Sequence, residues 1–484
     1  MKRLVAFLKA TAHKEKSGAA GRIARGIAWV DLAASRKVPP SLIGLWLVSA
    51  AVLGPTTVAA QPRPQDRAIC FSDDAPPDAA IAACGRLIAS GNDAESTRGT
   101  AYNQRGVAWL RKGQFDRAIE DFNMAIRLNP SNPSMFANRG YAWDGKKEVE
   151  RAIRDFDEAI RLGARRAHIF RQRGKLWEAK DNYERAIADY DEAIRLDPAR
   201  PEPFFDRAIA WEHKGDFDLA IADLSEVIRL DPASADAFLV RGDLWYFQKH
   251  NLELALADFD QLIRLDPGKP DGYVRRGKIW ERKGDLDRAI AEYGQAIRVD
   301  GRRSVLFQAR GEAWLHKGDP DRAIADLNEA IRLDPRNSDA IHIRGWAWEY
   351  KNNVDHAIKD YSEALRIQPN AVSFNNRGQL WYRQNKLDLA LADYNEALRF
   401  PSPQAVFFYN RALALRDKGD LKRAIADFDD ALRLDPKFSR AIVSRALTLE
   451  KAGDFARARA DYRAALAIDP KNPDAIEGLK RLEE

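Results

Sequence analysis

The sequence contains few of the residues that most often build catalytic and metal-binding sites. Its 484 residues include two cysteines, three methionines and seven histidines. No histidine stands at metal-ligand spacing from another histidine, a cysteine or a carboxylate cluster. A Gly-x-Ser-x-Gly nucleophile motif, a phosphate-binding loop and a glycine-rich dinucleotide motif are also absent. We therefore expect no catalytic, cofactor or metal site and no enzyme activity.

An excess of one charge is absent from most of the chain. The formal net charge is +6, but residues 1–60 carry nine Lys and Arg against two Asp and Glu. The remainder holds 69 basic and 70 acidic residues. Such an even mixture lacks the positive surface that nucleic-acid phosphates require. The composition therefore disfavours a nucleic-acid partner.

The first 60 residues differ from the rest in charge and hydropathy. A basic stretch precedes the apolar run Leu42–Gly54, whose 13 residues are short for a membrane-spanning helix. Small residues then precede Gln61, as at a signal cleavage site. We predict a secretory signal peptide over 1–60. The alternatives are a retained N-terminal membrane anchor with its basic side in the cytoplasm, or a true start downstream of Met1. With a signal or an anchor, the remainder would be exported to the periplasm or cell envelope.

One pattern of 34 residues occurs eleven times over residues 99–472. A period of this length indicates stacked supersecondary units in place of a single globular core. Within each copy, apolar residues recur twice at helical spacing around a short break. The first copy supplies, in order, Tyr102, Arg105, Gly106, Trp109, Ala118, Phe122, Ala125 and Pro130.

This pattern resembles the tetratricopeptide repeat, with Arg and Trp at the positions where that family's signature has Leu and Tyr. The resemblance implies an all-α, right-handed superhelical solenoid of about eleven helix-turn-helix repeats. It also implies a concave face, lined by the first helix of each repeat, that binds a peptide or partner helix. We therefore expect a non-enzymatic protein–protein interaction scaffold at a bacterial cell envelope. The alternative is a periplasmic adaptor or carrier for many client peptides; an enzyme or an RNA-binding repeat protein is less favoured.

Nine of the twelve tryptophans share one repeat position. Aromatic residues at helical spacing usually belong to a core, so we assign them to packing between helices. The alternative is a ladder of rings that stacks on ligands. The nine are Trp109, Trp143, Trp177, Trp211, Trp245, Trp280, Trp314, Trp348 and Trp381.

An arginine precedes the small residue of every copy, and an acid follows it after sixteen residues. Arg105 and Asp121 are the first such pair, and an inserted residue makes the spacing seventeen between Arg241 and Asp258. We predict ion pairs between the two helices of a repeat; ligand binding is the less favoured alternative. We expect these pairs to be exposed, so that each contributes about 0–1 kcal/mol and sets register more than stability.

Two flanking segments do not follow the repeat. Residues 61–98 contain both cysteines, Cys70 and Cys84, and an even number in an exported chain predicts one disulfide. We therefore expect a disulfide-pinned N-terminal cap, with two free buried thiols as the alternative. Residues 473–484 predict a C-terminal capping helix, because a terminal repeat needs a polar cover.

The inward positions of the resemblance are the second, fifth, ninth, twelfth and thirteenth of each copy, and their residues vary. The family's best-known carboxylate clamp needs Lys and Asn at the fifth and ninth positions, and no copy has both. We hypothesise instead an aromatic and basic patch for a protein or peptide partner, since such side chains dominate interface hot spots. Ordinary inter-repeat packing is the alternative. The candidate residues are His342, Trp346, Tyr350, Asn375, Gln379, Tyr382, Arg383, Tyr409 and Arg416.

Overall fold

The computed structural model describes residues 63–483. Residues 1–60 lie outside this range, so the signal peptide or anchor stays a prediction. Between residues 63 and 483 the chain forms 25 α-helices and no β-strand. None of these helices combines the length and apolar character needed to cross a bilayer.

Two helices precede the repeats, and eleven helix pairs and one final helix follow. The first two are α1 (Asp66–Cys70) and α2 (Pro77–Ser90). The pairs are α3 (Glu95–Arg111) and α4 (Phe115–Leu128), α5 (Pro133–Gly145) and α6 (Val149–Arg161), α7 (Ala167–Glu178) and α8 (Tyr183–Leu196), α9 (Pro201–Lys214) and α10 (Phe217–Leu230), α11 (Ala235–Phe247) and α12 (Leu252–Leu265), α13 (Asp271–Lys283) and α14 (Leu286–Val299), α15 (Ser304–Lys317) and α16 (Pro320–Leu333), α17 (Ser338–Tyr350) and α18 (Val354–Ile367), α19 (Ala371–Arg383) and α20 (Leu387–Leu398), α21 (Ala405–Asp417) and α22 (Leu421–Leu434), and α23 (Ser439–Lys451) and α24 (Phe455–Ile468). The final helix is α25 (Pro473–Glu483). The predicted all-α repeat solenoid is confirmed.

Short polar turns separate the helices. Many second helices begin at an Asn or Asp whose side chain accepts a hydrogen bond from the first turn, as Asn182 does from the Arg185 amide at 3.2 Å. Several first helices begin with proline, which is tolerated there because the first-turn amides have no helical partner. These local signals fix where many of the helices begin.

The two helices of a repeat meet where a small residue of the first faces a ring of the second. A Cβ placed on Gly106 would lie 2.6 Å from the Phe122 ring, and one placed on Gly174 would lie 2.7 Å from the Tyr190 ring. Both rings are fully buried. Glycine is therefore required at these two positions by the close approach of the partner ring.

The first helices form a continuous layer. Each packs on its partner and on the next repeat, and first helices of successive repeats also contact each other, as α3 contacts α5 and α15 contacts α17. We call the side chains that this layer presents away from the second helices the first-helix face. It corresponds to the face predicted to be concave.

Every arginine–acid pair predicted from the sixteen-residue spacing is formed. In the fourth repeat, Arg207 donates from Nε and Nη2 to the two carboxylate oxygens of Asp223 at 2.8 and 2.6 Å. Its Nη1 donates to Asp191 of the preceding repeat at 2.5 Å. Asp223 is only 6% exposed. The expectation of a solvent-exposed pair is therefore wrong, because the acid lies inside the helix pair and the arginine also links two repeats.

The nine repeat-position tryptophans are half-buried between successive repeats. Trp143, for example, packs against the core of its own repeat and against that of the preceding one. A guanidinium covers its outer side, with the Arg151 Cζ 4.6 Å from the ring centroid. The structure thus places these rings at the seams between repeats, and an arginine of the following helix covers five of them: Trp109, Trp143, Trp177, Trp280 and Trp314.

The two ends of the described chain are covered in different ways. Cys70 and Cys84 are bonded to each other, with 2.08 Å between the sulfur atoms, so α1 is fastened to α2. Arg86 of α2 also donates to the buried Asp66 of α1. At the other end, Leu479 and neighbouring apolar side chains of α25 pack on the core of the last repeat.

Candidate functional site

Two aromatic side chains stand out on the first-helix face of the eighth repeat. Trp346 is 37% exposed and Tyr350 is 60% exposed, whereas the second-helix rings that face a first helix, such as Phe122 and Tyr190, are fully buried. Both lie on α17, one helical turn apart, so they share one side of the helix. Exposed rings in this arrangement offer flat apolar surface together with a hydroxyl and an indole donor.

The seventh repeat extends this aromatic surface. His316, at the end of α15, lies with its ring centroid 5.6 Å from the Trp346 indole in an edge-on contact. Val305, at the start of α15, is 53% exposed. Burial lowers the pKa of His316, which favours a neutral ring beside the indole. We did not include these two residues among the candidates, although both occupy inward positions of their repeat.

Polar candidates of the ninth and tenth repeats are held by a shared carboxylate. Tyr382 donates its hydroxyl to Asp417, and the Arg416 Nε donates to the same side chain at 2.9 Å. Burial, and then the bond to Asp417, raise the pKa of Tyr382 to about 12. Arg383 is exposed and donates to the Asn352 side chain at 2.8 Å. These groups are therefore positioned before any partner binds.

Three candidates belong to packing between repeats. His342 is 9% exposed, and its Nδ1 lies 2.7 Å from the Ser373 hydroxyl of the next first helix. Asn375 is buried and accepts a hydrogen bond from Asn410 at 2.8 Å. Tyr409 packs against two phenylalanine rings. The prediction that His342 and Asn375 belong to an open binding surface is wrong, because the following first helix covers both side chains, and Tyr409 is half-buried against its two neighbouring rings.

The remaining candidates form what we call the aromatic patch, which comprises Trp346, Tyr350, Tyr382, Arg383 and Arg416. Gln379 lies half-buried beside it on α19. The patch combines rings with guanidinium groups, the side chains that anchor peptides most effectively. Its residues do not assemble a nucleophile with a general base. Between residues 63 and 483, no cluster of three or more His, Cys, Asp or Glu is arranged to hold a metal ion.

Acidic side chains on the first-helix face accompany buried tyrosines of the second helices. Tyr293 donates its hydroxyl to Glu281 at 2.8 Å, and Tyr190 donates to Glu178 in the same way. Burial raises the pKa of Glu281 to about 7. Burial, together with the nearby Glu281 carboxylate, raises the pKa of Glu312 to about 8. The middle of this face therefore holds carboxyl groups that protonate near neutral pH.

Family models match most of the repeat region. Models described as "Tetratricopeptide repeat" match residues 99–132, 175–242, 141–201, 246–305, 276–338, 309–372, 344–405 and 409–473. No curated protein matches the chain.

Solved structures of repeat proteins are similar to this chain at low sequence identity. Yeast Tom70 is 16% identical, with 80% of this chain and 96% of that chain covered and a TM-score of 0.36. The C-terminal part of a TPR repeat-containing protein from Cytophaga hutchinsonii is 21% identical, with 49% and 96% covered and a TM-score of 0.45. YrrB, titled a TPR protein with an unusual peptide-binding site, is 21% identical, with 39% and 97% covered and a TM-score of 0.34.

Proposed function

Because the chain belongs to the tetratricopeptide repeat family, a family of protein–protein interaction scaffolds, we propose that it holds one peptide or partner helix on its concave face at the cell envelope. The aromatic patch of the eighth to tenth repeats is the proposed contact. The exposure of Trp346 and Tyr350 is the observation that carries this proposal. Among the Phe, Tyr and Trp side chains of residues 63–483, Phe455 on a second helix is the other exposed ring.

The geometry of the aromatic patch suits a segment that is already folded or extended. Tyr382 and Arg416 are fixed by Asp417, so little side-chain freedom is lost when they bind. Trp346 and Tyr350 supply apolar area that water covers in the free protein. We expect a few anchoring side chains, and not a large flat contact area, to provide most of the affinity.

The location at a bacterial cell envelope is part of the proposal. It is supported by the basic and then apolar segment before Gln61, which has the pattern of a secretory signal. It is also supported by the pairing of Cys70 with Cys84, since disulfides persist in oxidising compartments. A non-enzymatic role completes the proposal, in keeping with the usual role of tetratricopeptide scaffolds.

The test is partner capture by cross-linking of the full-length chain in its native compartment, followed by identification of the captured proteins. We expect one dominant stoichiometric partner, which the double variant Trp346→Ala/Tyr350→Ala loses. Phe455→Ala is the matched control, because this ring is 49% exposed but lies on a second helix. A broad set of weakly bound peptides would identify a carrier instead. Equal capture by both variants would refute the contact.

A further inference from the structure

A cavity of about 310 Å³ lies at the junction of the second, third and fourth repeats. Four arginines line it: Arg165 and Arg166 from the turn between α6 and α7, Arg171 from α7, and Arg200 from the turn before α9. His168, in the first turn of α7, lines it as well. The cavity is about 200 residues of chain away from the aromatic patch and shares no residue with it.

The sequence of one turn combines a missing carboxylate with two consecutive arginines. In the seventh repeat the residue after the second helix is Asp334, whose carboxylate accepts a hydrogen bond from the Arg336 amide at 3.0 Å. Gly163 holds the equivalent position in the second repeat, with a φ of +96°. The turn of the second repeat therefore lacks the aspartate carboxylate that most of the other turns have, and Arg165 and Arg166 follow it.

The arginines of the cavity are unevenly neutralised. Arg171 pairs with Asp206 at 2.5 Å, and Arg200 lies 3.3 Å from Asp197. Arg200 also lies 3.7 Å from Glu202. Within residues 63–483, Arg165 and Arg166 form no ion pair.

A neighbouring group responds to this excess of positive charge. Burial, followed by the charges of Arg166 and Arg200, lowers the pKa of His168. An adjoining cavity of about 180 Å³ has the opposite character, with Asp231 and Asp236 in its lining. The excess of basic over acidic lining side chains is therefore a property of the first cavity, where four arginines stand against Asp197 and Glu202.

We infer that the arginine cavity binds an oxyanion carried by a peptide, either a carboxylate or a phosphoryl group. Guanidinium groups match the planar oxygen pairs of such anions and bind them with two parallel hydrogen bonds. The inference rests on the proposed function and deepens it, because it makes the partner acidic at a point far from its aromatic contact. Arg165 and Arg166 supply guanidinium groups that are not engaged in an ion pair with any described residue, and Arg171 and Arg200 also line the cavity.

The test uses fluorescence anisotropy with the full-length chain and defined probes. The probes are a labelled dodecapeptide of alternating glycine and glutamate, the same peptide with glutamine, the same peptide with phosphoserine, and a single-stranded RNA decamer. The variant is Arg165→Glu/Arg166→Glu. The matched control is Arg302→Glu/Arg303→Glu, since this second arginine pair follows Asp300 and Arg303 lies 3.7 Å from Asp271.

We expect the glutamate peptide to bind at least about tenfold more weakly to Arg165→Glu/Arg166→Glu than to the original chain. The control variant should stay within about twofold. Tighter binding of the phosphoserine peptide would identify the phosphoryl group as the source of the anion, and equal or weaker binding would identify the carboxylate. The inference would be overturned if both variants weakened binding equally. It would also be overturned if the glutamine peptide bound the original chain as tightly as the glutamate peptide, or if the RNA bound more tightly than the peptides.

The cross-linking partner separates this inference from the proposed function. Capture that survives Arg165→Glu/Arg166→Glu but not Trp346→Ala/Tyr350→Ala would overturn the anion site alone. Absence of any captured partner with the original chain would overturn the proposed function, while the peptide titration would still report on the cavity.

Discussion

The second helices of the repeats resemble one another far more than the first helices do. In α8 and α16 the sequences YERAIADYDEAIRL and PDRAIADLNEAIRL differ at few positions. In α13 and α17 the sequences DGYVRRGKIWERK and SDAIHIRGWAWEY share little beyond Arg-Gly and one Trp. The shared residues are those that contact the partner helix or the neighbouring repeat. The structure thus assigns stability to the second helices and leaves the first-helix face free to vary.

The largest expected difference in the free energy of unfolding is between a variant of a buried arginine–acid pair and a variant of the first-helix face. Asp223→Ala leaves Arg207 without its main partner inside the helix pair, so we expect the free energy of unfolding to fall by about 2–4 kcal/mol. Trp346→Ala on the first-helix face should lower it by less than about 1 kcal/mol. Urea denaturation followed by circular dichroism measures both. Similar losses for the two variants would contradict the division of roles.

The Glu312 carboxyl group on the first-helix face is expected to lower the free energy of unfolding near neutral pH. An acid whose pKa is raised to about 8 in the folded state, against an ordinary 4.5, keeps its proton while the unfolded chain loses it. Stability should therefore fall as pH rises from about 4.5 to 8. We expect Glu312→Gln to raise the melting temperature relative to the original chain by at least about 2 °C at pH 8, with a smaller gain at pH 5.

Glu329→Gln is the control for this pH dependence. Its hydrogen bond to Arg332 lowers the pKa of the exposed Glu329, so that side chain is ionised in both states between pH 5 and 8. The effect of that substitution should be constant over the range. If the gain in melting temperature for Glu312→Gln were the same at pH 5 and pH 8, the folded state would not raise the pKa of Glu312.

The smallest expected effect is a gain in the free energy of unfolding. Gly294 of α14 stands where other repeats offer an acceptor to the next arginine, and a Cβ placed on it would lie 3.7 Å from the Arg310 Nη1. Gly294→Asp should add that acceptor and raise the free energy of unfolding by about 0.5–1 kcal/mol. Gly294→Ala improves helix propensity alone. We expect the gain of the aspartate variant, but not that of the alanine variant, to shrink in high salt.

The regular features of the fold could be predicted because they recur at a fixed spacing. The pairing of Arg207 with Asp223 follows from a separation of sixteen residues. The bond to Asp191 was missed, although it lies sixteen residues on the other side of the same arginine. The signal is present in the sequence, but it crosses from one repeat to the next, so spacing within a single copy does not show it.

The candidate site was predicted less well, for a physical reason. His342, Trp346 and Tyr350 follow one side of α17, and nothing in their spacing distinguishes a covered position from an open one. The next first helix covers His342 through Ser373, while the two rings nearer the end of α17 stay exposed. The arginine cavity depends on a missing carboxylate at Gly163. The sequence shows the glycine, but only the folded chain shows that the arginines beside it line a cavity.

Apart from the junction of the sixth and seventh repeats, where Gly294 offers no acceptor to Arg310, each internal repeat contributes half of the arginine link to its neighbour, as donor to the preceding copy and acceptor for the following one. Copying an internal repeat would therefore supply both halves at once, and the array could lengthen without redesign of any junction. The final repeat breaks this rule, because Arg463 occupies its acceptor position and Leu479 of α25 packs on its core. A further copy appended there would set two like charges against each other, so chain growth at that end would require a substitution first.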